Sequence, residues 1–428
     1  MGRTALSIVV LGAFLASARR ADAGEAANPS LAKEVESYLA ETPGAAGGDN
    51  AMKAVWKNGL FFETADKAFS AHVGGRVTFD TATFGSNDYG GAQKQDSWYF
   101  RQVWFSADGT LYTNAFWKLD LDFATGAVVL KNLYVGLKNL GPLGSFQAGQ
   151  FKQPFSLGAV TSFRFITFME VAAATGAFAP YYQDSFMLSN NFLEQKMLLA
   201  AISVYKTTTN GTATGNSGYG VAARLAAFFL DDPDSHRLLH LGFSYTFVSN
   251  PAGTKQFRAR PDIGTGTRFV DTGAVTADDE AVYDFEVLFT WSRLLVQAEY
   301  YWAQLNGGGG PEPTFSGFYA EVSWFLWGGR VNYSKTKKVL DRPFIDETFH
   351  AGTGGRGAVQ VALRYDSLDL SDSGVNGGLQ NCITFGVNWY WNPQMRFMFN
   401  VIWADVSQGA PFGDGNLTIF GTRFQLDF

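Results

Sequence analysis

From residue 68 to the C-terminus, apolar and polar residues alternate with a period of two. Phe69, Ala71, Val73, Gly75, Val77 and Phe79 share one face, and Ser70, His72, Gly74, Arg76, Thr78 and Asp80 the other. Successive strand side chains point to opposite faces, so this pattern predicts strands with one apolar and one polar side. It recurs at Leu239, Leu241, Phe243, Tyr245 and Phe247 against His240, Gly242, Ser244 and Thr246, and at Ile383, Phe385, Val387, Trp389 and Trp391 against Thr384, Gly386, Asn388 and Tyr390.

Sixteen strands are expected, at 68–84, 97–108, 111–124, 128–138, 144–151, 184–192, 195–205, 218–229, 236–249, 281–292, 293–304, 314–327, 358–368, 379–391, 393–405 and 417–428. Most run about 9 to 13 residues, the length needed for a tilted crossing of a hydrocarbon layer. Trp98, Tyr99, Trp302, Trp324, Trp327, Trp391 and Trp403 fall toward strand ends, as an interfacial girdle requires. An even number of antiparallel strands closes a barrel with no unpaired edge amide in lipid, and sixteen leave an aqueous lumen. The fold class expected is therefore an all-β transmembrane antiparallel barrel.

Composition agrees. The 428 residues are 16% aromatic and 17% charged and include 48 Gly, and beyond the first twenty residues no apolar run is long enough for a membrane helix. The single Cys382 excludes an internal disulfide and a cysteine metal cage. Residues 1–23 read as a signal peptide: Arg3, an apolar run from Ala5 to Ala18, and the small-x-small pattern Ala21-Asp22-Ala23. Without it the chain holds 30 basic and 38 acidic residues, a net charge of −8, so nucleic acid is not an expected partner. Residues 24–66 are expected to form an N-terminal periplasmic segment, with a short helix carrying Leu31, Val35 and Leu39 and a hairpin turning at Lys57-Asn58-Gly59; residues 67–428 form the barrel.

Two segments are candidates for narrowing the lumen. Lys152 to Asp184 is broken by Pro154, Gly158, Gly176 and Pro180 yet carries Phe163, Phe165, Ile166, Phe168 and Met169, so it is expected to fold inward onto the wall; the alternative is packing on a neighbouring protomer. In the 251–280 loop, Arg258 and Arg260 project to one side of an extended chain and, with Arg268, could pass an anion between guanidinium forks; the alternative is a merely solvated basic run. The expected wall charges inside are mixed: Arg76, Arg224, Arg364, Arg396 and Arg423 with Asp80, Asp120, Asp122, Asp284, Glu286, Glu299, Glu321, Asp366 and Asp427. Of the four histidines, His236 and His240 share a strand face but lie about 13 Å apart, too far for one ion. No catalytic residue, metal site or cofactor is expected.

Longer words carry a resemblance. Gly74-Gly75-Arg76, Gly149-Gln150-Phe151-Lys152-Gln153-Pro154-Phe155-Ser156, Thr161-Ser162 with Ile166-Thr167-Phe168-Met169-Glu170, Ala362-Leu363-Arg364-Tyr365 with Leu368-Asp369-Leu370, and Gly386-Val387-Asn388-Trp389-Tyr390 with Asn392-Pro393 are similar to the phosphate-selective porin O and P family. The likeness spans about residues 59–428. It implies a sixteen-stranded outer-membrane channel of a Gram-negative-type bacterium, a homotrimer, with an arginine ladder leading anions to a constriction. By position Arg76, Arg101, Arg258, Arg260 and Arg268 resemble ladder members, and Lys152 completes the candidate path. Where phosphate-specific members carry a second Arg after the Phe-Arg pair, this chain has Gln102, which points to general diffusion with a weak anion preference. The terminal Phe428 looks like the assembly signal of outer-membrane barrels, implying the barrel assembly machinery as a partner beside outer-membrane lipid, small anions and other hydrophilic solutes. The alternatives are a non-conducting structural or adhesive barrel and a barrel hydrolase.

Overall fold

The computed structural model describes residues 51–85, 88–89, 96–207, 218–251, 253–310, 312–352 and 354–428. The expected leader and the helix around Leu31 to Leu39 lie outside them. The sixteen barrel strands are β1 (Ser70–Phe84), β2 (Ser97–Leu111), β3 (Ala115–Asp122), β4 (Val129–Leu137), β5 (Ser145–Lys152), β6 (Tyr182–Phe192), β7 (Leu198–Lys206) and β8 (Tyr219–Asp232). They continue as β9 (Arg237–Ser249), β10 (Asp279–Trp291), β11 (Leu294–Asn306), β12 (Thr314–Trp327), β13 (Ala358–Asp372), β14 (Val375–Asn392), β15 (Met395–Ser407) and β16 (Gly415–Asp427). Each pairs antiparallel with its sequence neighbours, and β16 closes on β1 with Asp427 opposite Arg76 and Phe424 opposite Phe79. All sixteen expected strands are present, displaced by a few residues at their ends.

Alternation decides which side of the wall each residue takes. Leu241, Phe243, Phe285, Val287 and Val296 are exposed on the outside, where lipid removes the cost that water would impose. Trp98, Trp302, Trp324, Trp327 and Trp403 are exposed too. Tyr99 departs from the expected girdle. It follows outward Trp98, so the pleat turns it inward.

The barrel seam is finished at its short-turn end. Phe428 N donates to Gly75 O at 3.0 Å, and Gly75 N donates to Phe428 O at 2.8 Å. A Cβ on Gly74 would sit 2.3 Å from Phe428 O, so this position needs glycine. The expected N-terminal hairpin is present as Lys53–Trp56 paired with Leu60–Glu63, and Trp56 stacks on the Phe428 ring at 6.4 Å.

Three segments leave the wall and pack against its inner face. Residues 153–181 and 251–278 enter from the long-loop end. The third was not legible as an element: after β12 the chain forms a hairpin, Gly329–Ser334 with Val339–Ile345, at the short-turn end. Its Val339 and Leu340 bury against Leu157, Phe228, Leu238, Leu288 and Leu295. The wall also grips it by polar contacts: Arg224 Nη2 donates to Lys338 O at 2.9 Å, and His240 Nδ1 lies 2.7 Å from Tyr333 Oη. His236 sits in a turn rather than on the β9 face it was expected to share with His240.

Candidate functional site

The inner wall holds the 153–181 segment by its backbone. Arg396 Nη1 donates to Ile166 O at 2.9 Å, Asn388 Nδ2 to Thr167 O at 2.8 Å, Arg423 Nη1 to Met169 O at 2.5 Å and Arg364 Nη1 to Glu170 O at 3.0 Å. At the start of the segment, Leu157 N and Gly158 N donate to the two carboxylate oxygens of Glu299 at 2.6 and 2.9 Å. Those made by the arginines and by Glu299 are charge-assisted and contribute about 1.5–3 kcal/mol each. The segment therefore lies inside the barrel along β11 to β16, as expected, rather than on a neighbour.

This changes the meaning of the wall charges. All fourteen residues assigned to the inner face are buried, and Glu299, Arg364, Arg396 and Arg423 among them hold the inserted 153–181 segment. Arg224 forms a two-bond fork with Glu286 at 2.8 and 2.7 Å, and Arg423 another with Asp80 at 2.8 and 2.7 Å. Arg364 lies 2.7 Å from Asp262 of the 251–278 loop.

The 251–278 loop reaches the opposite wall through an apolar foot. Phe257, Ile263, Phe269 and Val270 are buried with Phe178, Met169 and Phe315. At Gly264 the backbone passes so closely that a Cβ would lie 2.8 Å from Arg101 Nε and 2.9 Å from Glu170 Oε1. Arg258 remains exposed, and Arg260 and Arg268 are half-buried, Arg260 Nε donating to Gly266 O at 2.8 Å. Burial, and then the Arg101 charge, pulls the Arg260 guanidinium below its ordinary pKa; Arg268 is pulled down by burial, then by Arg260 and Arg258. The three loop arginines and Arg101 thus share one electrostatic neighbourhood.

Deeper in, a second basic group gathers. Arg76 stacks on the Trp104 ring at 3.9 Å, and Trp104 meets Tyr182 edge-on at 6.4 Å. The Tyr182 ring lies 5.8 Å from Lys152 Nζ and 5.9 Å from Lys131 Nζ. Lys152 Nζ donates to Ala159 O at 2.5 Å and Thr161 O at 3.4 Å. An ammonium has three donors, so one is left over. Lys131 Nζ lies 3.8 Å from Asp122 Oδ2, whereas Arg76 Nε and Nη1 have no hydrogen-bond partner among the described residues. All six expected path residues therefore fall into two groups, Arg258, Arg260, Arg268 and Arg101 above, Arg76 and Lys152 below.

Arg101 and Lys131 owe their placement to the same local device. Thr78 pairs with Gln102 and Phe79 with Phe100, leaving Arg101 as the extra residue of a β-bulge; Asp120 pairs with Asn132 and Leu121 with Leu130, leaving Lys131. A bulge re-aims one side chain and bends the strand. Sequence reasoning passed over Lys131, although two consecutive polar residues, Lys131-Asn132, break the alternation there as Arg101-Gln102 does. It also gave no role to Glu170, which binds Arg101 by two bonds at 2.7 and 3.0 Å.

The comparisons converge. A family model described as phosphate-selective porin O and P matches residues 72–428. An uncharacterized protein of Caulobacter vibrioides is 29% identical over 400 residues, covering 87% of this chain and 76% of its own. Porin O of Pseudomonas aeruginosa is 23% identical over 418 residues, covering 87% and 91%. Among solved structures, an anion-selective porin from Comamonas acidovorans superposes with a TM-score of 0.54 at 11% identity, covering 84% of this chain and all of that one. Salmonella typhi OmpF gives 0.54 at 11% identity, covering 87% and 100%.

Proposed function

The chain belongs to the phosphate-selective porin O and P family of outer-membrane channels, and from that premise we propose that it passes small hydrophilic solutes passively, with a preference for anions such as phosphate. The observation that carries the preference is the run of cations from the inserted 251–278 loop to the facing wall: Arg258, Arg260 and Arg268 on the loop, then Arg101, then Arg76, Lys131 and Lys152 on wall strands. A passing anion exchanges water for guanidinium and ammonium donors in steps, each weak enough to leave again. Some acidic wall residues are already taken up by cations, Asp80 by Arg423, Glu286 by Arg224 and Asp122 by Lys131.

The long-loop end would face outward, with the 24–66 segment in the periplasm. Three copies would assemble as a homotrimer, and Phe428 would present the sheet end to the barrel assembly machinery. No step requires a cofactor or a reacting nucleophile. Recording the purified protein in planar bilayers under a KCl gradient tests the reading. Stepwise conductance with an anion-selective reversal potential is expected. Absence of steps would mean a plugged structural barrel, and a cation-selective potential would remove the anion preference.

A further inference from the structure

Among the cations of this route, Arg101 is met by a carboxylate of the constricting segment itself. Glu170 takes both of its outer donors, Nε to Oε1 and Nη2 to Oε2, in the parallel fork that a guanidinium also offers to a phosphate. The Arg101 side chain is 31% exposed, so it borders water. Glu170 therefore occupies one of the two forked edges that Arg101 could offer to an entering oxyanion.

The carboxylate is not what holds the segment in place. The backbone around it is already bound by Arg396, Asn388, Arg423 and Arg364 through the carbonyls of residues 166, 167, 169 and 170. Arg423 does reach Glu170 Oε1 at 3.2 Å, but its own charge is matched by the fork to Asp80. At this level of the pore two guanidiniums face two carboxylates, and the local charge is balanced.

We propose that Glu170 is a specificity-determining residue of the channel, a built-in competitor that occupies Arg101 and keeps anion passage weak. The inference rests on the anion-channel reading above. Its physical content is that the fork neutralises Arg101 and takes one of its binding edges, so the loop arginines and the lower basic group are separated by a neutral stretch. Removing the carboxylate joins them.

The test is the reversal potential of Glu170→Gln in planar bilayers at low salt, with the extent to which added inorganic phosphate blocks the chloride current. One uncompensated positive charge should raise the anion-to-cation permeability ratio by about three- to tenfold and lower the half-blocking phosphate concentration. The double variant Arg101→Gln/Glu170→Gln restores the balance and should return the ratio to that of the unchanged protein, which a merely structural role for Glu170 would not do. If Glu170→Gln does not assemble, Arg101→Gln alone carries the test: the freed carboxylate should shift selectivity toward cations. An anion-selective channel whose ratio is unmoved by these changes overturns this inference alone. A channel with no anion preference before any substitution overturns the reading beneath it.

Discussion

Replacing Lys152 by Gln isolates one charge of the lower basic group. The amide keeps two donors, enough for the bonds that Lys152 Nζ now makes to Ala159 O and Thr161 O, so the segment start should stay in place. What is lost, in recordings made in mildly acid solution where the amine is fully protonated, is a positive charge near the Tyr182 ring, which Lys131 Nζ also approaches. For an anion about 5 Å away in water-like dielectric, one unit charge is worth about 0.8 kcal/mol, roughly fourfold in occupancy. A cation gains by a similar factor, so the anion-to-cation permeability ratio should fall on the order of tenfold. The effect must also depend on salt. The screening length is about 10 Å at 0.1 M and about 3 Å at 1 M, so reversal potentials should differ strongly from the unchanged protein at the lower concentration and little at the higher. A ratio unchanged at 0.1 M, or an equal shift at both concentrations, would refute the claim that Lys152 acts through its field on the permeating ion.

Changing Arg258 and Arg260 together to Ala should move the reversal potential toward cations while leaving the temperature of barrel unfolding where it was, because Arg258 is exposed and the Arg260 guanidinium bonds to Gly266 of its own loop, while the Arg260 carbonyl that accepts from Gln380 is kept. Arg423→Met leaves Asp80 buried without its counter-charge directly across the closing β16–β1 seam, a loss of about 3–5 kcal/mol. The heat-induced shift of the folded band on detergent gels should fall accordingly, and Asp80→Asn with Arg423→Met should recover much of it; a double variant no better than the single would refute the pairing. Burial pushes the Glu170 carboxyl up, but Arg101 and Arg423 outweigh it and hold it below its ordinary value. A depressed carboxyl keeps its ion pair above the ordinary range near pH 4.3 and loses it only as pH falls through the lower folded value. The anion selectivity of the unchanged protein should therefore stay constant from neutral pH to about 5 and rise toward that of Glu170→Gln only in stronger acid; a rise centred near pH 6 would contradict it.

Much of this protein was written locally in the chain. The sixteen strands, their inward and outward faces and the inward burial of Arg76, Asp80, Arg224, Glu286, Arg364, Asp366, Arg396 and Arg423 all follow from a side-chain period of two, because lipid accepts one face and rejects the other. The inward fold of residues 153–181 was legible too, since breakers and aromatics together suit neither a strand nor an open loop. The six candidate path residues were picked out by type and by family words, but their division into two groups was not.

That division belongs to tertiary structure. Glu170 meets Arg101 across 69 positions of sequence, and Arg224 grips Lys338 across 114. Contacts of this kind leave no periodic mark, because an arginine that binds a distant backbone carbonyl looks in sequence like any other polar inner-face residue. The hairpin at Gly329–Ile345 was invisible for the same reason: its Val339 and Leu340 find their partners on β8, β9, β10 and β11. Alternation along single strands determined the wall; hydrogen bonds and apolar contacts between remote segments decided what fills it, and therefore where a charged solute meets the protein.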